Sequence, residues 1–177
     1  RNMCEFGCGC GIITTLACQK NENLKVTAVD IQEDAAALTS QSCEMNNITD
    51  RVNVLCEDLK MLDKTHNGKF DLVVMNPPYK KFYAGINDIC STASRLLKYH
   101  GRLCICHRPE RLGDAIQAMY NFGITPKRLR TVSQNKNSKI SLVLIEGSKS
   151  GGDGMSVLPP LFLDDEHDRL YSDYFNN

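Results

Sequence analysis

Phe70-Asp71-Leu72-Val73-Val74-Met75-Asn76-Pro77-Pro78-Tyr79 is the stretch that decides the fold. Its first six residues form an apolar run of the kind buried on both faces of a parallel sheet. Two prolines then stop the strand, since neither carries a donor for the ladder. The residue before a proline is held extended, which fixes Asn76 at the strand's carboxyl edge. In open α/β sheets ligands bind at that edge. A proline pair alone is an ordinary strand-ending turn. With Asn76 before it and Tyr79 after it, Asn76, Pro77, Pro78 and Tyr79 become the candidate catalytic residues.

Outward from this stretch the chain alternates strand and helix. Residues 2–6, 24–29, 52–56 and 70–75 read as strands, with helices over 12–20 and 33–46 between them. A helix is predicted over 88–99, closed by His100-Gly101, and a fifth strand over 103–107. Pro109 suits the first position of a helix running to about Asn121. Residues 128–132 and 141–146 read as a closing antiparallel pair. Gly147 to Gly154 reads as a flexible linker, and 157–162 as a short apolar segment before an acidic end. The expected fold is α/β: a doubly wound, mostly parallel seven-stranded sheet with an antiparallel edge. Residues 1–149 would form the catalytic domain, with 150–177 packed on it or trailing from it.

The 177 residues suffice for one domain with a real core, and 42% apolar with 24% charged residues is a globular composition. No apolar run approaches membrane-spanning length and no signal peptide is visible, so a cytoplasmic protein is expected. The chain opens at Arg1 rather than Met and looks like part of a longer protein. Nine cysteines are present, four of them at 4, 8, 10 and 18. The C-x3-C-x-C spacing is not that of a zinc knuckle, and an odd count argues against a full disulfide framework; reduced thiols and no metal are expected. The zero net charge divides into −4 over residues 1–75, +9 over 76–149 and −5 over 150–177. A basic middle beside the candidate pocket suits a polyanionic substrate, though an ordinary solvated surface would look the same.

Glu5-x-Gly7-x-Gly9-x-Gly11 follows the first strand and opens the first helix. Glycines there allow a tight turn and close approach of a ligand. The spacing is not the G-x-G-x-x-G of dinucleotide sites, which argues against a nicotinamide cofactor. Asp30 ends the second strand, where a carboxylate accepts both hydroxyls of a ribose. Glu57-Asp58 follows the third strand, where it would meet an adenine amino group. Together they describe an adenosyl ligand with no phosphate cradle, and S-adenosylmethionine fits.

Residues 5–11, Val29-Asp30, Asp58 and Asn76-Pro77-Pro78-Tyr79 resemble the class I S-adenosylmethionine-dependent methyltransferases. Residues 107–112, 126–130, 144–147 and 157–161 further resemble the bacterial tRNA(Val) adenine-N6 methyltransferases, a group also described as small-domain or predicted O-methyltransferases. The resemblance implies a Rossmann-like class I methyltransferase fold. It also implies a cofactor site of Glu5, Phe6, Gly7, Cys8, Gly9, Gly11, Asp30, Ile31, Asp58, Leu59 and Asn76. The family has a longer excursion after its tyrosine, where this chain has only Lys80 to Gly85, and more chain before the first strand.

The chemistry implied is direct methyl transfer to the N6 of an adenine in RNA, with tRNA the expected partner. Asn76 and the Pro77 carbonyl would accept the amino hydrogens, and Tyr79 would stack on the base. Lys80, Lys81, Lys127, Arg128 and Arg130 are candidate phosphate contacts. Arg108 and Arg111 fit substrate contact and loop bracing equally well, and His107 reads as an orienting residue. Rival readings are a release-factor-type glutamine methyltransferase, a ribosomal-RNA guanine methyltransferase, a non-catalytic RNA-binding subunit and a small-molecule O-methyltransferase. Oligomeric state is not legible, with a monomer favoured.

Overall fold

The computed structural model describes residues 1–76 and 85–164. Pro77, Pro78, Tyr79, Lys80 and Lys81 lie outside the described residues. The elements in chain order are β1 (Asn2–Phe6), α1 (Ile12–Lys20), β2 (Lys25–Asp30), α2 (Glu33–Met45), β3 (Val52–Cys56), β4 (Phe70–Met75), α3 (Ile86–Leu96), β5 (Leu97–His107), α4 (Leu112–Asn121), β6 (Ile124–Ser133), β7 (Ile140–Lys149), β8 (Ser156–Val157) and β9 (Leu161–Phe162). Short 3₁₀ turns lie at 59–61, 64–66 and 109–111.

The seven long strands run in the order β3-β2-β1-β4-β5-β7-β6, with only β7 antiparallel to its neighbours, and β8 and β9 both pair with β6. The expected doubly wound sheet is therefore present, extended among the described residues by two short strands. The chain builds outward from β1 to β3, then crosses back to β4. That reversal makes the β1/β4 boundary the switch point, where an open α/β sheet leaves a crevice. Phe6 pairs with Met75 across it, so the glycine loop and Asn76 leave the sheet side by side.

Strand alternation divides the core. Met3, Val26 and Ala28 pack with Cys18 of α1 and Cys43 of α2 on one face. Phe6, Val73, Met75, Leu103 and Ile145 pack on the other with Ile89, Ala93 and Leu96 of α3 and Ala115 and Met119 of α4. Among the described residues no helix is long and apolar enough to cross a membrane.

Three local expectations are corrected. The helix predicted to Tyr99 ends at Leu96, and β5 begins at once. Ile89, Ala93, Leu96 and Leu97 are all fully buried, so apolar spacing carries on smoothly past the true end. Pairing with β4 decides it: Phe70 lies opposite Leu97 and Leu72 opposite Arg102, and the intervening residues bulge, with His100 at φ 60°. The last two long strands reach 124–133 and 140–149, well beyond the predicted cores. Pro126 is tolerated because the ladder shifts register there, between Pro126 and Arg128. Finally, Gly147, Ser148 and Lys149 belong to β7 and not to a linker.

Gly147 is in that strand for want of space. A Cβ would sit 2.7 Å from Ile124 Cγ2, 3.1 Å from Met119 Sδ and 3.2 Å from the Thr125 carbonyl. Overpacking of this kind costs about 1–3 kcal/mol. Gly147→Ala should therefore lower the midpoint of thermal unfolding by about 2–12 °C, at about 2–4 °C per kcal/mol for a domain of this size. An unchanged midpoint in a calorimetric scan would show that α4 and β6 yield freely.

Candidate functional site

The site grows from the loop between β1 and α1. Gly9 has φ +58°, a backbone that side chains rarely adopt, and among the described residues no atom beyond its chain neighbours lies within 4 Å of where its Cβ would stand. That side of the loop is open to a ligand. Gly11 is needed for another reason: a Cβ there would come within 3.1 Å of the Thr39 side chain. The loop is anchored by Gly7 and Cys8, which donate to the Val29 carbonyl at 2.8 and 3.1 Å.

Asp30, 6% exposed, holds the neighbouring elements in register. Its Oδ2 accepts from the Gly9 amide and its Oδ1 from the Gln32 amide, both at 3.0 Å. Its own carbonyl accepts from the Glu57 amide at 3.0 Å, tying the ends of β2 and β3 together. Thus one carboxylate fixes the glycine loop and the entry to α2 at once. Asp58 caps the 3₁₀ turn at 59–61, accepting from the Lys60 amide at 3.0 Å, with Lys60 Nζ 3.4 Å away. Leu59 packs against the core, whereas Ile31 is 43% exposed beside Asp30. Asn76 is exposed at the end of β4.

Two threonines were missed from the sequence. Thr14 of α1 donates to the buried Glu5 carboxyl at 2.5 Å. Thr39 of α2 donates to the Gly9 carbonyl at 3.0 Å and approaches Cys8 Sγ at 3.2 Å. Both are wholly buried. The available signal is a β-branched polar residue on the apolar stripe of a helix, where helix propensity does not favour it.

Burial pushes Glu5 up from an ordinary 4.5 to about 7, an effect opposed by the Thr14 hydroxyl and reinforced by the Asp30 charge. A raised folded-state value means that the native protein holds a proton that the unfolded chain has released. Stability is then complete below pH 4.5 and falls as pH rises to about 7, by about 3 kcal/mol at most. Glu5→Gln keeps an acceptor for Thr14 and should flatten that dependence in denaturant titrations at pH 5 and 7.5. A slope equal to that of the parent would place the titration elsewhere.

The predicted basic residues fall into different situations. Arg128 makes a two-pronged pair with Glu146, whose Oε1 also lies 3.4 Å from Arg102 Nη1. Lys127 Nζ donates to the Gly152 and Asp153 carbonyls at 3.0 and 3.2 Å, and Arg130 Nε to the Pro159 carbonyl at 3.0 Å. Lys127 and Arg130 thus pin the segment after β7 to the sheet, whereas Arg128 ties β6 to β7. Arg111 pairs with Asp114 at 3.0 Å. His107 Nδ1 accepts from the Arg108 amide at 2.8 Å, and burial with the nearby Arg111 charge lowers its pKa. A neutral ring fixed in this way suits an orienting role. Arg128, Arg130, Val74, Asn76, Cys106 and Leu144 are among the residues lining a cavity of about 340 Å³ beside the β4 edge.

All nine cysteines are unbridged, and among the described residues no cluster of three or more His, Cys, Asp or Glu side chains would hold a metal.

Comparison with known proteins agrees with this geometry. Residues 1–122 match the model of the methyltransferase small domain. The chain is 24% identical over 189 residues to a tRNA1(Val) (adenine(37)-N6)-methyltransferase of a Flavobacteriaceae bacterium, covering 99% of this chain and 80% of that protein. It is 35% identical over 91 residues to an rRNA N6-adenosine-methyltransferase of Caenorhabditis elegans, covering 49% of this chain and 42% of the relative. A ribosomal protein uL3 glutamine methyltransferase of Francisella tularensis is 38% identical over 71 residues, or 40% of this chain and 22% of that protein. Among solved structures, a predicted O-methyltransferase of Agrobacterium tumefaciens superposes with a TM-score of 0.80 at 20% identity, over 92% of this chain and 80% of its own. With 122 of its 177 residues matched by the family model, and with the glycine loop and Asn76 meeting at the switch point of the sheet, the chain belongs to the methyltransferase small-domain family and shares its class I, S-adenosylmethionine-dependent fold.

Proposed function

We propose that this protein methylates the exocyclic N6 of an adenine in RNA, with tRNA as the substrate class. The observation that carries this is the placement of Asn76 beside the glycine loop at the β1/β4 switch point. The adenine-N6 activities named for two relatives of this chain point the same way. S-adenosylmethionine would lie along the loop, with Asp30 on the ribose hydroxyls, Ile31 and Leu59 against the adenine ring, and Asp58 at its amino group. Phe6, Gly7, Cys8 and Gly11 would shape the loop, and Glu5 would stand beneath it.

The cofactor supplies a methyl group made electrophilic by a sulfonium. The acceptor N6 is a poor nucleophile because its lone pair is delocalised into the ring. Asn76 Oδ1 and the Pro77 carbonyl would each accept one N6 hydrogen, which localises the lone pair and aims it at the methyl carbon. The N–C bond would form as the S–C bond breaks, and the surplus N6 proton would leave to water. Tyr79 would stack on the flipped base, a contact worth about 1–3 kcal/mol. Orientation and electrostatics supply the rate, without a dedicated general base.

A second reading has its own support. A glutamine side-chain amide presents the same –NH₂ geometry to Asn76, and one relative is named for such an activity. The test is incubation of the protein with labelled S-adenosylmethionine and unmodified bulk tRNA, followed by nucleoside separation. Label in N6-methyladenosine is expected. Label on protein glutamine and none on RNA would overturn the adenine reading.

A further inference from the structure

The basic residues of the middle segment are not equivalent in space. Lys127, Arg128 and Arg130 are tied to Gly152, Asp153, Glu146 and Pro159. By contrast, Lys136 and Lys139, in the turn between β6 and β7, are exposed, and among the described residues neither has a hydrogen-bond or ion-pair partner.

That turn stands at the catalytic edge. Val143 of β7 lies opposite His107, the last residue of β5, and β7 continues back to Ile140. The turn therefore projects past the carboxyl edge by three residues of strand, about 10 Å. β7 is two strand spacings from β4, so the turn rises about 10 Å to the side of Asn76. It is also preorganised. Asn135 Oδ1 accepts from the Asn137 amide at 3.0 Å and from Ser138 Oγ at 2.9 Å, while the Gln134 carbonyl accepts from the Asp164 amide at 3.0 Å. Gln134 and Asn135 side chains bond Asp164 as well.

We infer that the β6–β7 turn is the phosphate-binding wall of the substrate site, with Lys136 and Lys139 contacting the RNA backbone that flanks the adenine delivered to Asn76. This rests on the RNA reading above. Phosphates want cations with unspent donors on a rigid support, and the Asn137 side-chain amide adds a neutral donor of the kind found in backbone-positioning contacts. Lys127 and Arg128 hold the fold and take no part in phosphate binding.

The test compares the parent with K136Q/K139Q and with K127Q, using bulk tRNA at several salt concentrations. Each phosphate contact contributes about 0.7–0.9 to the slope of log affinity against log salt. The double variant should lower that slope by about 1.5 and raise KM for RNA about tenfold at moderate salt, with kcat at saturating RNA and cofactor affinity unchanged. K127Q should keep the parental slope. A parental slope in the double variant, or an equal loss in K127Q, would overturn the assignment. A parent that neither binds nor methylates RNA would instead overturn the RNA reading, and this inference with it.

Discussion

Asn76→Ala is expected to lower turnover by about 10²- to 10³-fold, the usual cost of removing one hydrogen-bonding group that acts mainly in the transition state. Affinity for the cofactor should change by no more than about threefold. The asymmetry follows from position. Asn76 is exposed at the end of β4, adjacent to the glycine loop in the sheet but not part of it. The contacts that shape the loop come from Asp30, Thr39 and the Val29 carbonyl, none of which the substitution touches. Single-turnover rates with a cofactor titration separate the two effects. Equal losses in both would mean that Asn76 binds cofactor and does not aim the acceptor. Asn76→Asp provides a further check, since a carboxylate still accepts hydrogen bonds and should retain part of the rate.

Asp30→Ala should raise the dissociation constant for S-adenosylmethionine at least 100-fold and lower stability as well. The 6%-exposed carboxylate accepts two backbone amides, Gly9 and Gln32, each at 3.0 Å. Alanine leaves both donors without an acceptor, at about 1–3 kcal/mol each. The loop then loses the restraint that keeps Gly9 at φ +58°, and under the proposed reading the ribose would lose its acceptor. Asp30→Asn keeps one carboxamide oxygen and should recover part of the stability but little of the affinity. The outcome to watch is a fall in the thermal midpoint with no change in cofactor binding. That pattern would make Asp30 a brace for the loop and remove it from the ribose contact.

The sheet and its switch point were legible because the signals were local. Runs such as 70–75, glycines at 7, 9 and 11, and a carboxylate closing β2 each act through a few adjacent residues. Asn76 and Asp30 could therefore be placed at strand ends before any contact was known. The end of α3 was not legible, because Leu96 and Leu97 continue a helical stripe and only Phe70, far back in the chain, claims Leu97 for a strand. Gly147 read as linker for the same kind of reason: its missing side chain makes room for Ile124 and Met119.

By itself, then, the sequence determined the alternation of elements, the crevice and the residue types that face it. Tertiary structure alone decided which charges are spent. Arg128 and Lys136 look alike in a stretch of chain, and the difference lies across the sheet, where Glu146 stands opposite Arg128 in the β6–β7 pairing. Periodicity and turn chemistry are written in neighbours a few residues apart, whereas an ion pair depends on which distant residue the register sets opposite.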